Sequence, residues 1–151
     1  MKRLVFDFDG TLYGEGPDNE RWLDLYQMVK GLSPERLWLY SNGAKWQKLV
    51  DQTEIKLEHI QDFVRSPADL ELTEAAISHA LSNGFQGSPL NAALVKRAPE
   101  GAILVDDLAQ TWIAIAGSDA EHTLTPEQFQ LKVEQGTIKL TVDDGGYLAA
   151  C

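Results

Sequence analysis

The sequence predicts a three-layer α/β domain in which a parallel sheet carries helices on both faces. Short and almost wholly apolar runs, such as residues 4–8 and 102–105, are typical of strands buried on both sides. Stretches with apolar residues at helical spacing lie between these runs. Because strands that alternate with helices pair in parallel through right-handed crossovers, we expect a single layered sheet.

The first half of the chain contains five predicted elements. After a glycine-rich loop, apolar residues recur at helical spacing, and Gly31 follows as a helix stop. Ser33 and Pro34 introduce a second apolar run, which is followed by another amphipathic stretch. The predicted elements are, in order, strand 4–8, helix 19–30, strand 37–40, helix 44–56 and strand 60–64.

The second half adds further helices and strands. Pro126 and Glu127 are typical of a first helical turn, so a helix is expected to begin at Thr125. Alternation of apolar and polar residues over 137–142 predicts an edge strand, and the Asp-Asp-Gly-Gly segment at 143–146 is interpreted as a turn. The predicted elements are helix 70–81, helix 89–97, strand 102–105, helix 109–116, the helix from Thr125 and strand 137–142.

Length and charge define the class of protein. With 151 residues, the chain is expected to form a single domain, residues 1–151, that buries a real core. Its 13 basic and 23 acidic residues give a net charge of −10, which disfavours binding to nucleic acid or to an anionic membrane. No apolar run approaches the roughly 18 residues of a membrane span, so no membrane partner is expected.

The two ends of the chain bear on its cellular location. The basic start is followed by only a few apolar residues before Asp7, which is too short for the core of a signal peptide. The single cysteine, Cys151, cannot form a disulfide within the chain. We therefore expect a cytoplasmic protein.

Polar residues follow the apolar runs at three predicted strand ends. These residues are Asp7 with Asp9, Ser41 with Asn42, and Asp106 with Asp107. Because ligands of parallel α/β sheets bind beyond the carboxyl ends of the strands, we expect these side chains to meet at one edge. Carboxylates from separate strands form a hard oxygen site that suits Mg²⁺. The Ser41 hydroxyl and the Asn42 amide suit phosphate oxygens, as do backbone N–H groups near Gly10.

Together these groups support phosphate chemistry. Asp7 is the expected nucleophile, whose attack forms an aspartyl-phosphate. Asp9, two residues on, lies on the same side of an extended chain and can act first as an acid and then as a base. A divalent cation offsets the repulsion between the carboxylate and the phosphate. The sequence thus predicts that a phosphorylated substrate and Mg²⁺ meet at Asp7 and Asp9.

Three segments resemble the motifs of a known enzyme family. DFDGT at 7–11 follows one apolar strand, LYSNG at 39–43 ends a second, and ILVDDL at 103–108 carries an acidic pair. In order and rough position they resemble the first, second and fourth motifs of the haloacid dehalogenase-like (HAD) superfamily. The resemblance spans residues 4–108 and implies a Rossmann-like fold and Mg²⁺-dependent hydrolysis of phosphate monoesters.

The resemblance also implies a role for each matching residue. Asp7 would be the nucleophile and Asp9 the acid and base, and the presence of Asp9 resembles the phosphatases of the superfamily and not its dehalogenases. The implied metal ligands are Asp7, the Asp9 carbonyl, and Asp106 or Asp107. The candidate substrate-binding residues, from the resemblance and from the phosphate chemistry above, are Gly10, Thr11, Ser41, Asn42 and Lys45.

The third motif of the superfamily is a lysine or arginine that neutralises the nucleophile and the phosphate. No lysine lies between Lys56 and Lys96. Arg65, directly after the predicted third strand, fits the position best, and Lys45 is a further candidate. Lys96 is closer to the fourth motif in sequence, but the predicted helix 89–97 places it at the far end of the sheet.

Other functions fit part of the pattern. The missing third-motif lysine is compatible with a catalytically weakened relative that binds phosphate or a partner protein. A receiver-type phosphoacceptor domain also uses strand-end aspartates and Mg²⁺, but its middle strand should end in an aspartate where this chain has Ser41. Strand-end acids can also simply cap a turn or a helix.

The connection between the first two motifs bears on the substrate. Residues 10–40 separate Asp9 from Ser41, and the predicted helix 19–30 occupies part of them. Little chain remains for the cap domain that other members insert there, so the chain resembles the capless class. An open site suits a phosphorylated macromolecule, or a small molecule that a neighbouring subunit covers. A small substrate would therefore imply a homo-oligomer.

Overall fold

The computed structural model describes residues 1–14, 18–41, 45–60, 78 and 96–151. Over these residues the chain forms one mixed sheet and several helices. The strands are β1 (Lys2–Phe6), β2 (Arg36–Leu39), β3 (Lys56–His59), β4 (Ala102–Val105), β5 (Thr123–Leu124), β6 (Leu140–Val142) and β7 (Leu148–Ala150). The helices are α1 (Asp24–Gly31), α2 (Lys45–Leu49), α3 (Ala109–Ala116) and α4 (Pro126–Glu134), and a 3₁₀ turn at Val50–Gln52 follows α2.

The main part of the sheet is parallel, with strand order β3-β2-β1-β4-β5. The central strand β1 lies between β2 and β4, and its Phe6 is opposite Val105 of β4. Leu4, Val5 and Phe6 are fully buried, as expected for a strand covered on both faces. The prediction of an α/β chain with a largely parallel sheet is confirmed, and the carboxyl ends of five strands share one edge.

The sheet is not parallel throughout, because β6 and β7 form an antiparallel hairpin. β7 pairs with Lys2 and Arg3 of β1, on the edge where β2 pairs with Val5 and Phe6. The Asp-Asp-Gly-Gly segment is the turn of this hairpin, as predicted, with Gly146 at a φ of 86°. A short apolar end to a chain carries little signal of strand direction, so β7 was not anticipated.

The alternating side chains of β1 join two separate core clusters. Leu4 and Phe6 pack with residues of α1 and with Phe129 of α4, whose ring meets Phe6 edge to face at 5.6 Å. Val5 points to the other face and packs with Leu104 and with Trp112 of α3. Both faces of β1 are therefore fixed, and so is the direction in which the chain leaves the strand.

Several predicted boundaries shift for local reasons. The helix expected over 19–30 begins only at Asp24, because the preceding residues pair in a hairpin in which the Leu23 N–H donates to the Leu12 carbonyl. The third strand lies at Lys56–His59, before the predicted 60–64, of which residues 61–64 are outside the described part. Helix 44–56 is shorter than predicted. β4, α3 and the start of α4 agree with the predictions.

Two predicted helices fall mainly outside the described residues. These are helix 70–81, apart from Ser78, and helix 89–97, apart from its last two positions, which are not helical. Among the described helices, none combines the length and the apolar character that a membrane span requires.

Candidate active site

The polar strand ends meet at one edge of the sheet. The Asp7 N–H donates to the Val105 carbonyl at 2.9 Å, which brings the end of β1 beside the end of β4. Carboxylate oxygens of Asp7, Asp106 and Asp107 all lie within 4.8 Å of one another. On the other side of β1, the Tyr40 N–H donates to the Phe6 carbonyl at 2.8 Å, which places Ser41 at the same edge. The structure thus brings together three strand ends that are distant in sequence.

Lys96 is the cation of this cluster. Its buried ammonium group donates to Asp7 Oδ1 at 2.9 Å, to Asp106 Oδ2 at 2.8 Å and to the Tyr40 carbonyl at 2.7 Å. All three N–H bonds of the ammonium group are therefore used. The amine nitrogen also lies 5.2 Å from the centroid of the Tyr40 ring. One lysine thus joins the ends of β1, β2 and β4.

Our prediction that Lys96 lies at the far end of the sheet is wrong. Residues 96–99 are not helical, and Ala98 packs against the core cluster that contains Val5 and Leu104. The segment therefore passes over the sheet, and the long side chain reaches the edge of the carboxylates. Arg65, the preferred candidate, lies outside the described residues.

The Asp106 carboxylate accepts three hydrogen bonds. Its Oδ2 accepts from Lys96 and from the indole Nε1 of Trp112 at 3.1 Å, and its Oδ1 accepts from the Leu108 N–H at 2.8 Å. The side chain is almost fully buried, at 1% exposure. A buried carboxylate needs such donors, because each unmatched oxygen would cost a few kcal/mol.

Thr11 connects the loops after β1 and β4. Its hydroxyl accepts from the Asp107 N–H at 3.0 Å and lies 3.4 Å from both Asp7 Oδ2 and Asp107 Oδ1. The hydroxyl has one proton, so it can donate to only one of these carboxylates at a time. Thr11, predicted to bind substrate, is buried and serves here to hold the two loops together.

Gly10 allows Asp107 to approach the first loop. Its φ is 79°, and a Cβ at this position would lie 2.3 Å from Asp107 Oδ2. The Gly10 N–H donates to the Tyr13 carbonyl and the Thr11 N–H to the Phe8 carbonyl. These two backbone groups are engaged within the loop, so our prediction that they bind phosphate is not supported in this conformation. Glycine is needed here for space and for its backbone conformation.

Asp9 is separate from the carboxylate cluster. Its side chain is not among the grouped ligand oxygens, and its buried Oδ1 has no hydrogen-bond partner among the described residues. Burial raises the pKa of Asp9, while the charges of Lys45 and Lys96 lower it. A carboxyl group in this setting retains its proton more readily than an exposed aspartate does.

Ser41 is tied to the neighbouring strand by a histidine. The Ser41 N–H lies 3.1 Å from His59 Nε2, and His59 Nδ1 lies 2.9 Å from the Ile60 carbonyl. Nε2 also lies 2.8 Å from the Ser41 carbonyl, so the ring can accept from the Ser41 N–H or donate to the Ser41 carbonyl, depending on which nitrogen carries the proton. The Trp46 ring stacks on His59 at 5.8 Å. His59 therefore anchors the end of β2.

Of the remaining predicted substrate-binding residues, Lys45 is described and Asn42 is not. The Lys45 amine donates to Glu20 Oε1 at 2.9 Å and lies 5.7 Å from the centroid of the Tyr13 ring. The hydrogen bond to Glu20 raises the pKa of Lys45. Lys45 is therefore held at the hairpin between β1 and α1, near enough for its charge to act on Asp9.

The cluster contains more negative charge than its lysine balances. Burial and the Asp106 carboxylate raise the pKa of Asp7 from its ordinary value of 3.8 to about 7, although Lys96 opposes the shift. Desolvation and the other two carboxylates also raise the pKa of Asp107, whose side chain nevertheless reaches solvent. Burial alone would lower the pKa of Lys96, but Asp106 and Asp7 raise it. The three carboxylates could therefore hold a metal ion.

Mg²⁺ fits the donor set. Asp7, Asp106 and Asp107 offer only oxygen ligands, which Mg²⁺ prefers over nitrogen and sulfur. Asp106 already accepts three hydrogen bonds from protein groups, whereas Asp7 Oδ2 and Asp107 Oδ1 contact Thr11 at 3.4 Å, and the Asp107 carboxyl group also interacts with those of Asp7 and Asp106. Asp7 and Asp107 are therefore the more available ligands.

A cleft of the described residues lies away from this cluster. A cavity of about 490 Å³ is lined by Lys2, Ile103 and His122, near the opposite ends of β1 and β4. It contains none of the clustered carboxylates. The chemistry of its side chains, and not the volume of a cleft, identifies the candidate site.

Replacing Gly10 by Ala should weaken Mg²⁺ binding by displacing Asp107. Gly136→Ala is the matched control, because Gly136 also has a positive φ of 75° but its added Cβ would have no neighbour within 4 Å. Both changes should destabilise the fold by about 1–2 kcal/mol through backbone strain. Calorimetric titration with Mg²⁺ should show weaker binding only for Gly10→Ala. Equal affinities of the two variants would contradict the assigned role of Gly10.

The raised pKa of Asp7 predicts how the metal-free protein responds to pH. Between pH 3.8 and about 7 the folded state binds a proton that the unfolded state releases, so stability falls as the pH rises through this window. The contribution is at most about 4 kcal/mol. Mg²⁺ should therefore stabilise the fold more at pH 8 than at pH 6. Urea unfolding in EDTA and in Mg²⁺ tests this, and the pH dependence should flatten in Asp7→Asn.

We compared the chain with protein-family models, curated proteins and solved structures, and none of these comparisons found a match. Function is therefore inferred from the residues and geometry of this chain.

Proposed function

We propose that the chain is a Mg²⁺-dependent phosphate monoester hydrolase of the HAD-like superfamily, with the three-layer Rossmann-like fold of that group. The observation that supports this most is the contact between Lys96 and Asp7 at the edge where Asp106 and Asp107 also lie. Lys96 takes the part of the third-motif lysine expected from the resemblance. Residues of the three motifs then lie at one edge of the sheet, where the basic residue contacts Asp7.

Asp7 is the nucleophile in this proposal. A carboxylate oxygen of Asp7 attacks the phosphorus, the bond to the ester oxygen breaks, and an aspartyl-phosphate forms. Lys96 holds Asp7 Oδ1 at 2.9 Å and leaves Oδ2 without a short hydrogen bond. The ammonium charge also reduces the repulsion between the ionised carboxylate and the incoming phosphate.

Asp9 supplies and recovers the proton. The proton of the Asp9 carboxyl group passes to the ester oxygen as the alcohol leaves. The resulting carboxylate then accepts a proton from the water that attacks the aspartyl-phosphate, which releases phosphate and restores Asp7. The raised pKa of Asp9 suits this role, as does its Oδ1, which has no hydrogen-bond partner in the part of the chain that the structure describes.

Asp7 and Asp107, with Asp106, would hold Mg²⁺. When bound, Mg²⁺ supplies positive charge that offsets the charge of the phosphate oxygens. The protein side chains position the nucleophile and move the proton, and the surplus negative charge of the cluster favours the cation.

The catalytically weakened alternative loses its main support. Its motive was the absence of a lysine for the third motif, and Lys96 meets that requirement by direct contact with Asp7. We therefore propose activity and not phosphate binding alone.

The substrate remains a phosphorylated small molecule or macromolecule in this proposal. Between Asp9 and Ser41 the described residues form a short hairpin and α1, which supports a capless enzyme. A small substrate would then need a neighbouring subunit as cover, and cytoplasmic phosphate esters would be accessible to the enzyme.

Replacing Asp7 by Asn should lower turnover of p-nitrophenyl phosphate in Mg²⁺ by about 10³-fold or more, because the nucleophile is lost. Asp144→Asn, at an exposed position of the β6–β7 turn, is the control and should retain activity. Wild-type turnover in Asp7→Asn would exclude the proposed mechanism.

Replacing Lys96 by Met should lower turnover by about 10²–10³-fold, since the donor that faces Asp7 is removed. Arg97→Met removes a neighbouring cation whose Nε donates to the Ala116 carbonyl, outside the carboxylate cluster, and should stay within a few-fold of wild type. Because Lys96→Met leaves buried acids unpaired, it should also unfold about 3–5 kcal/mol more easily. A Lys96→Met protein with full activity would contradict the assignment.

A further inference from the structure

We infer that Trp112 is a positioning residue, which holds the Asp106 carboxylate turned toward Lys96 and thereby keeps Lys96 in contact with Asp7. The indole Nε1 of Trp112 donates to Asp106 Oδ2 at 3.1 Å, and the side chain is only 2% exposed. The effect of this contact on catalysis rests on the proposed function. The positioning itself is a property of the described structure.

The location of Trp112 follows from α3. This helix begins at Ala109, just after the loop that carries Asp106, and Trp112 lies in its first turn. The ring packs in the core cluster with Val5 and Tyr40. A buried indole N–H needs an acceptor, since leaving it unpaired would cost about 1–3 kcal/mol. The acceptor that the fold provides is a carboxylate of the candidate active site.

The hydrogen bonds fix the plane of the Asp106 carboxylate. Its two oxygens have different partners, with Oδ2 between Trp112 and Lys96 and Oδ1 on the Leu108 N–H. Leu108 alone would allow the carboxylate to turn about its bond to Cβ. The indole N–H prevents this rotation, because it donates to Oδ2, the same oxygen that accepts from Lys96.

This arrangement matters because two carboxylates share one ammonium group. Lys96 lies 2.8 Å from Asp106 and 2.9 Å from Asp7, so a shift of Asp106 would move the lysine that both acids use. A second donor on Asp106 Oδ2 also balances part of its charge. Trp112 touches neither Asp7 nor Lys96 through a described hydrogen bond, so its effect passes through Asp106.

The first test follows the Trp112 indole N–H by ¹⁵N-edited NMR in the intact chain. The protein has 4 tryptophans, and Trp112→Phe identifies the relevant signal by its loss. Asp106→Asn should shift this signal more than that of Trp38, which packs against the same core cluster but stacks its ring on Tyr147. An unchanged Trp112 signal in Asp106→Asn would overturn the proposal.

The second test asks whether Trp112 positions Lys96. In Trp112→Phe the ammonium signal of Lys96 should shift and its protons should exchange faster with water, whereas Trp38→Phe should leave both unchanged. If Trp112→Phe does not fold, benzothienylalanine at position 112 keeps the ring shape and removes only the N–H. An unchanged Lys96 signal in either folded variant would overturn the proposal, whether or not the chain hydrolyses phosphate esters.

The third test is a double-mutant cycle on turnover of p-nitrophenyl phosphate. Trp112→Phe should lower kcat about tenfold with little change in KM. In the Asp106→Asn background the same change should have no further effect, because its partner is already altered. If kcat of the double variant falls by the product of the two single-variant losses, Trp112 acts independently of Asp106. An inactive wild type would count against the proposed function and not against the positioning, which the two NMR tests decide.

Discussion

A buried ammonium group shared by two carboxylates organises the edge of the sheet. Lys96 bonds to Asp7 after β1, to Asp106 after β4 and to the Tyr40 carbonyl at the end of β2. Burying any of these charges alone would be strongly unfavourable, so each depends on the others. The same contacts that compensate for burial hold Asp7 in one orientation.

The charge balance of this group connects structure to chemistry. One lysine and three aspartates leave surplus negative charge, and burial together with the neighbouring carboxylates raises the pKa of Asp7 and of Asp107. A proton can relieve the repulsion in the metal-free protein, and a divalent cation can relieve it when bound. Two small, uncharged residues determine the geometry of this group. Gly10 makes room for Asp107, and Thr11 links the two loops.

The features that could be predicted from the sequence are those that depend on residues close together in the chain. An apolar run that is followed by an aspartate predicts both a strand and the acidic residue at its end, as for Asp7 and Asp106. Lys96 could not be placed in this way, because its position depends on how the chain crosses the sheet before β4. His59 and Trp112 were missed for the same reason, since their hydrogen bonds to Ser41 and Asp106 join separate elements. The direction of β7 likewise depends on pairing with distant β1.

The central claim is that Asp7 is the phosphate acceptor and that Lys96 faces it. The most direct measurement is a crystal structure of the protein with Mg²⁺ and beryllium fluoride, which mimics an acyl-phosphate. The account predicts beryllium fluoride attached to Asp7, Mg²⁺ between Asp7 and Asp107, and the Lys96 ammonium still in contact with Asp7. Attachment at another residue, or Lys96 turned away from the acyl-phosphate mimic, would contradict it.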